Sequence, residues 1–149
     1  MSDIVFVDPW HTYDDSLRVL QLGYDMVARG GYLVVHDCNP DQSDYTATLP
    51  DHCAACWCGE TWRAFVDFTA NLPADTEWWT LASDLGVGVI PVAERSRRVR
   101  RRQRARGRSS FAPLVPSNLD VDGQWAWLEA NREQTLRLVS VEQWHERTA

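Results

Sequence analysis

The chain contains no lysine: all 15 of its basic residues are arginine, set against 21 acidic ones, for a formal net charge of -6. That bias points to GC-rich coding and carries no mechanism. No apolar run is long enough to span a membrane, and the start lacks a basic-then-apolar leader, so a cytoplasmic protein is expected. Cysteine is scarce. Of Cys38, Cys53, Cys56 and Cys58, three fall within six residues, which suits a reduced compartment better than a disulfide framework. No strand is followed by a glycine-rich turn and a helix, the arrangement that lets a backbone approach a nucleotide. Gly86 and Gly88 belong to a hairpin and cannot substitute. No internal repeat is visible, and 149 residues suffice for one core.

What is present begins with a βαβ pattern. Ile4–Val7 is an apolar run closed by Asp8, and Tyr32–Val35 is another closed by His36-Asp37. Between them, Tyr13, Leu17, Leu20, Tyr24 and Val27 recur at helical spacing over residues 13–28. Thr12, Asp14 and Asp15 suit the helix start, and Gly30-Gly31 suits its exit. A connection of this length implies parallel strands. Asp8 and Asp37 then close neighbouring strands at their carboxyl ends, where open α/β sheets bind ligands. They are placed to face one ligand, one metal ion or one reacting proton.

A polar loop follows to about Cys58, of a length typical of substrate lids. A helix over residues 60–71 comes next, then two short strands over 77–82 and 87–92. The four-residue joint between these strands is too short for a crossover, so they form a hairpin and one strand runs against the rest. Residues 95–108 hold nine arginines and no acid. Without aromatic interleaving, they read as a flexible insertion rather than a nucleic-acid surface. Linker extends to Asn118, a helix spans 125–139, and Ser140-Val141-Glu142-Gln143 has the capping-box pattern of a final helix. The expected division is 1–94 for the α/β body, 95–118 for insertion and linker, and 119–149 for a helical tail packed on the body. His52-Cys53-Ala54-Ala55-Cys56-Trp57-Cys58 offers one C-x-x-C and no second, so Zn²⁺ is not expected.

The motifs in their order resemble the C-terminal half of a class I S-adenosylmethionine (SAM)-dependent methyltransferase, most closely the small-molecule O-methyltransferase branches. "DIVFVDPWHTYDDSLRVL" resembles the fourth strand and following helix, and "GGYLVVHDCNP" the fifth strand. "WCGETWRAFVDF" and "TLASDLGVGVIPV" resemble the next helix and terminal hairpin, and "WLEANREQTLRLVSVEQW" the tail. The resemblance implies a partial Rossmann-like α/β sheet, strands four to seven, mixed, with one antiparallel member and C-terminal helices. It implies methyl transfer from SAM to a small-molecule hydroxyl, with His11 as base beside Asp8. Asp8, Pro9 and Trp10 would lie on the cofactor side; Tyr13, His36 and Trp57 would face the acceptor. Asp8 and Asp37 match positions that hold a divalent cation, with Asn39 as a third ligand, and carboxylates suit Mg²⁺. Cys38 stands where related metal enzymes often carry Asn. His36 ranks below His11 as a base, because alternation along a strand points it away from Asp37.

In the resembling fold the Ile4–Val7 strand is paired on both sides. Here one edge is bare and apolar, which favours association: a homo-oligomer, or a second chain carrying the glycine-rich half. A non-catalytic partner-binding module and a nucleic-acid binder working through residues 95–108 are the rival expectations.

Overall fold

The computed structural model describes residues 1–46, 56–93 and 112–148. The first unit is β1 (Ser2–Val7), α1 (Tyr13–Met26) and β2 (Val27–Val35). β1 and β2 are parallel, with Ile4 opposite Tyr32 and Val7 opposite Val35. The helix stops two residues earlier than its periodicity suggests. Val27 is already extended, and its side chain is buried in the strand rather than on the helix. The register slips between Ser2 and Ile4, so β2 bulges over 28–31. Gly30 turns the bulge at φ +76°; a Cβ on Gly31 would sit 2.2 Å from the Asp3 carbonyl oxygen. Thr12 does not cap the helix through its side chain; its hydroxyl donates to Asp15 Oδ2 at 2.9 Å.

α2 (Thr61–Ala70) is buried on nearly every side. It packs beside α1 on one face of the sheet, where Trp62, Phe65, Leu20, Leu33 and Ile90 form the centre of the core. β3 (Trp79–Leu81) and β4 (Val87–Pro91) form the expected hairpin. β4 lies between β2 and β3 and is antiparallel to both. Consequently β3 runs with β1 and β2, and the turn after it emerges at the same carboxyl edge as Asp8 and Asp37.

The tail departs from the sequence reading. α3 (Val121–Leu136) starts earlier, where Asp120 accepts from the Gly123 amide at 2.8 Å, and stops earlier, at Arg137 with φ +48°. Leu138–Val139 are a fifth strand, β5, parallel to β3, and not the end of a helix. The periodicity missed this because two residues of strand carry no period. α4 (Val141–Thr148) begins with the expected capping box: the Ser140 amide donates to Gln143 Oε1 at 2.9 Å, and the Gln143 amide to Ser140 Oγ at 3.2 Å.

The result is an α/β structure with a five-stranded mixed sheet of order β1-β2-β4-β3-β5. β1 is an edge strand, and on its outer face Ile4 is 63% and Phe6 59% exposed. The arginine run at 95–108, residues 109–111 of the linker, and His52 and Cys53 of the cysteine cluster lie outside the described residues. No helix among the described residues is long and apolar enough to cross a membrane.

Candidate active site

The site forms where β1, β2 and the β3–β4 turn end together. Asp8 follows β1 directly, and the chain then folds over Pro9, which is buried and accepts from the His11 amide at 3.0 Å. That turn brings His11 back over the sheet edge. The start of α2 fixes it there: the Glu60 amide donates to the His11 carbonyl at 2.7 Å. Gly59 has φ +52°, and a Cβ there would lie 2.2 Å from the same carbonyl oxygen. The Trp57 ring meets the His11 ring at 4.9 Å, edge-on, and Trp10 meets Trp57 at 5.4 Å.

On β2, the His36 amide donates to the Val7 carbonyl at 3.0 Å and prolongs the parallel ladder by one residue. Asp37 then adopts φ +60°. Strand alternation would send Asp37 and His36 to opposite faces. The left-handed residue breaks that alternation, so the expectation that His36 points away from Asp37 does not hold: His36 Nδ1 lies 3.2 Å from Asp37 Oδ2. The chain beyond is tied to the hairpin turn, with the Cys38 amide donating to the Gly86 carbonyl at 2.9 Å and the Asn39 amide to that of Leu85 at 2.7 Å.

Two imidazoles and three carboxylates therefore converge. His11 Nε2 is 3.0 Å from Asp37 Oδ2 and 3.3 Å from Asp8 Oδ1. His36 Nδ1 is 3.9 Å from Asp8 Oδ1, and His36 Nε2 is 3.2 Å from Asp84 Oδ2. Asp37, only 3% exposed, is the centre of the group. Its burial alone would raise its pKa, but the hydrogen bond from His11, the charges of His36 and His11, and a hydrogen bond with Cys58 outweigh that and hold it below its ordinary value. Burial likewise opposes a charge on His11, yet Asp37 and Asp8 prevail and its pKa is raised. Burial, then the Asp37 carboxylate, pushes the Cys58 thiol well up, so it donates to Asp37 as S–H and is no thiolate. Cys38 is also buried and held up, with its sulfur directed at the Val35 carbonyl.

Of the residues singled out from sequence, Asp8, His11, His36 and Asp37 are brought together, with Trp57 against His11. Trp10 flanks them but is 66% exposed. Two others are placed elsewhere. The Tyr13 hydroxyl donates to Asp67 Oδ2 at 2.8 Å beneath the Arg63 guanidinium, a bond within the packing of α1 on α2. Asn39 Oδ1 accepts from Arg132 Nη1, which also donates to the Pro40 carbonyl at 2.8 Å, so its oxygen is held by a guanidinium. Asp8, His36 and Asp37 each offer one donor atom, all within 4.8 Å of one another. That donor chemistry fits a divalent cation. A shallow cavity of about 190 Å³ beside the group is lined by Asn39, Asp41, Ser83 and Asp84 among others. Pockets that enclose a drug-sized ligand run from roughly 300 Å³ upward, and the described residues include no glycine-rich strand–turn–helix.

Sequence reasoning missed Asp84, Cys58 and Gly59 as parts of the site. Asp84 was a turn residue whose position depends on β4 inserting beside β2, which no local pattern reveals. The Cys58-Gly59 pair, immediately before a helix start, was the one local signal for a close backbone approach. A scan against family models, a search of curated proteins and a search of solved structures each find no match to this chain.

Proposed function

We propose that this chain forms the acceptor-activating half of a SAM-dependent O-methyltransferase acting on a small-molecule hydroxyl. The observation that carries the reading is the placement of His11 Nε2 within hydrogen-bond reach of Asp37 and Asp8, at the carboxyl ends of two parallel strands. The order strand, helix, strand, helix, hairpin, with one reversed strand, agrees with the resembling fold. SAM, when bound, supplies an electrophilic methyl group. The chain's own residues handle the acceptor. Asp8 and Asp37 would orient its hydroxyl, and His11, once it has released to solvent the Nε2 proton that it otherwise donates to the acids, would take the hydroxyl proton at that atom. Alignment provides most of the acceleration, because displacement at a methyl carbon needs little covalent help. Trp57 and Trp10 form an aromatic wall beside the base, suited to a planar or sugar acceptor. A divalent cation, if bound, would be held by the acid pair and would lower the acceptor's pKa.

In the resembling fold the cofactor lies against a glycine-rich strand–turn–helix, an element that the described residues do not include. A reading as a partner-binding module without catalysis is favoured by a separate observation, the exposed Ile4 and Phe6 on an edge strand. The two separate in one assay. With radiolabelled SAM and a panel of hydroxyl acceptors, His11→Ala should abolish transfer while leaving SAM affinity intact. Undiminished turnover in that variant would end the base assignment, and absence of any transfer by the associated wild-type protein would favour the module.

A further inference from the structure

His36 carries an observation that base chemistry at His11 does not use. Its Nε2 faces Asp84 Oδ2 at 3.2 Å. A carboxylate only accepts, so Asp84 places a proton on Nε2. In the neutral ring the Nδ1 lone pair then faces Asp37 Oδ2 at 3.2 Å and Asp8 Oδ1 at 3.9 Å. Electron-pair donors turned on one another repel unless a cation lies among them, and Asp37 is too deeply buried for water to screen the contact. Of the neighbouring groups, Cys58 donates to Asp37, and His11 meets the acids from the opposite loop through Nε2, with its own Nδ1 buried and without a hydrogen-bond partner.

We propose that Asp8, Asp37 and His36 Nδ1 bind a divalent transition ion of oxygen–nitrogen preference, of the Mn²⁺ or Fe²⁺ class, in preference to Mg²⁺. Asp84 is the positioning residue that fixes the imidazole tautomer. Metal-bound histidines characteristically give their other N–H to a carboxylate or carbonyl, which orients the ring and raises its basicity. An imidazole nitrogen in the set favours first-row transition ions over Mg²⁺, which takes oxygen ligands and keeps its waters. The hard-cation set expected from sequence relied on Asn39, whose oxygen is held by Arg132; His36 takes its place and changes the metal preference. This inference uses the same acid pair as the methyl-transfer reading but requires neither SAM nor acceptor.

The test is Mn²⁺ binding to the full chain without SAM, followed by electron paramagnetic resonance with detection of ¹⁴N coupling. One Mn²⁺ per chain is expected, resistant to a tenfold excess of Mg²⁺, with nitrogen modulation from a bound imidazole. His36→Ala should abolish that modulation and weaken binding at least tenfold. Asp84→Gly, which suits the φ of +48°, should weaken binding roughly 10- to 100-fold with folding unchanged. His11→Ala should keep the nitrogen signal. Three results overturn the proposal: no Mn²⁺ bound by folded protein, which makes His36 a doubly protonated bridge; displacement by equimolar Mg²⁺; or a nitrogen signal lost in His11→Ala and kept in His36→Ala. Failure of SAM to bind leaves these outcomes unaffected.

Discussion

Replacing Asp37 by Asn removes the central charge of the site and little else. Asn tolerates positive φ as Asp does, so the turn at φ +60° survives. A charge-assisted contact is lost, from His11 Nε2 at 3.0 Å. Such a bond contributes about 1.5–3 kcal/mol, and the neutral amide regains part of this through its smaller desolvation cost, leaving a net loss toward the lower end of that range. The loss depends on pH. His11 has a folded pKa above its ordinary 6.5, so its share of stability is complete below 6.5 and fades as pH rises through the folded value. Asp37 has a folded pKa below its ordinary 3.8, so its share is present above 3.8 and fades as pH falls through the folded value. The penalty of the Asp37→Asn change is therefore largest between 3.8 and 6.5. Urea unfolding at about pH 5.5 and about pH 9 should show the larger difference at the lower pH. In parallel, imidazole NMR should show the His11 midpoint falling, because burial then faces only Asp8. An unchanged His11 midpoint, or an equal stability loss at both pH values, would refute the coupling.

Three further outcomes follow from the packing. Asp67 is fully buried and accepts from the Tyr13 hydroxyl and from the amides of Leu114 at 2.6 Å and Val115 at 2.9 Å; Asp67→Ala strands those donors and should cost about 4 kcal/mol in urea unfolding, with faster amide exchange at 114–115. Gly59→Ala forces a Cβ against the His11 carbonyl at a positive φ and should lower stability by about 2 kcal/mol, a Tm fall of roughly 6 °C, with a displaced His11 resonance. Exchanging Ile4 and Phe6 together for Ser should reduce concentration-dependent association in sedimentation velocity with little change in Tm, since both side chains are already mostly in solvent.

The site was legible in sequence as far as strand ends could carry it. An apolar run closed by an acid places that acid at a carboxyl edge, so Asp8 and Asp37 could be paired before any coordinates. His11 followed from the resemblance, which places a base three residues after the first acid. Other features depended on interactions that no local pattern encodes. Asp37 escapes strand alternation through its left-handed backbone, and this brings His36 into the group. Asp84 arrives only because β4 inserts beside β2. Tyr13 has the helical spacing of a core residue as much as of a pocket residue, and a buried carboxylate 54 positions away decides its role. Leu138–Val139 were merged with α3 because a single left-handed residue, Arg137, separates helix from strand.

Calorimetric titration of SAM into the folded, associated chain, with and without divalent metal, bears most directly on the assignment of this site to methyl transfer. Saturable binding of one SAM for each Asp8–His11–Asp37 group is expected, and it should persist in His11→Ala. A folded and associated sample that takes up no SAM under either condition would contradict it.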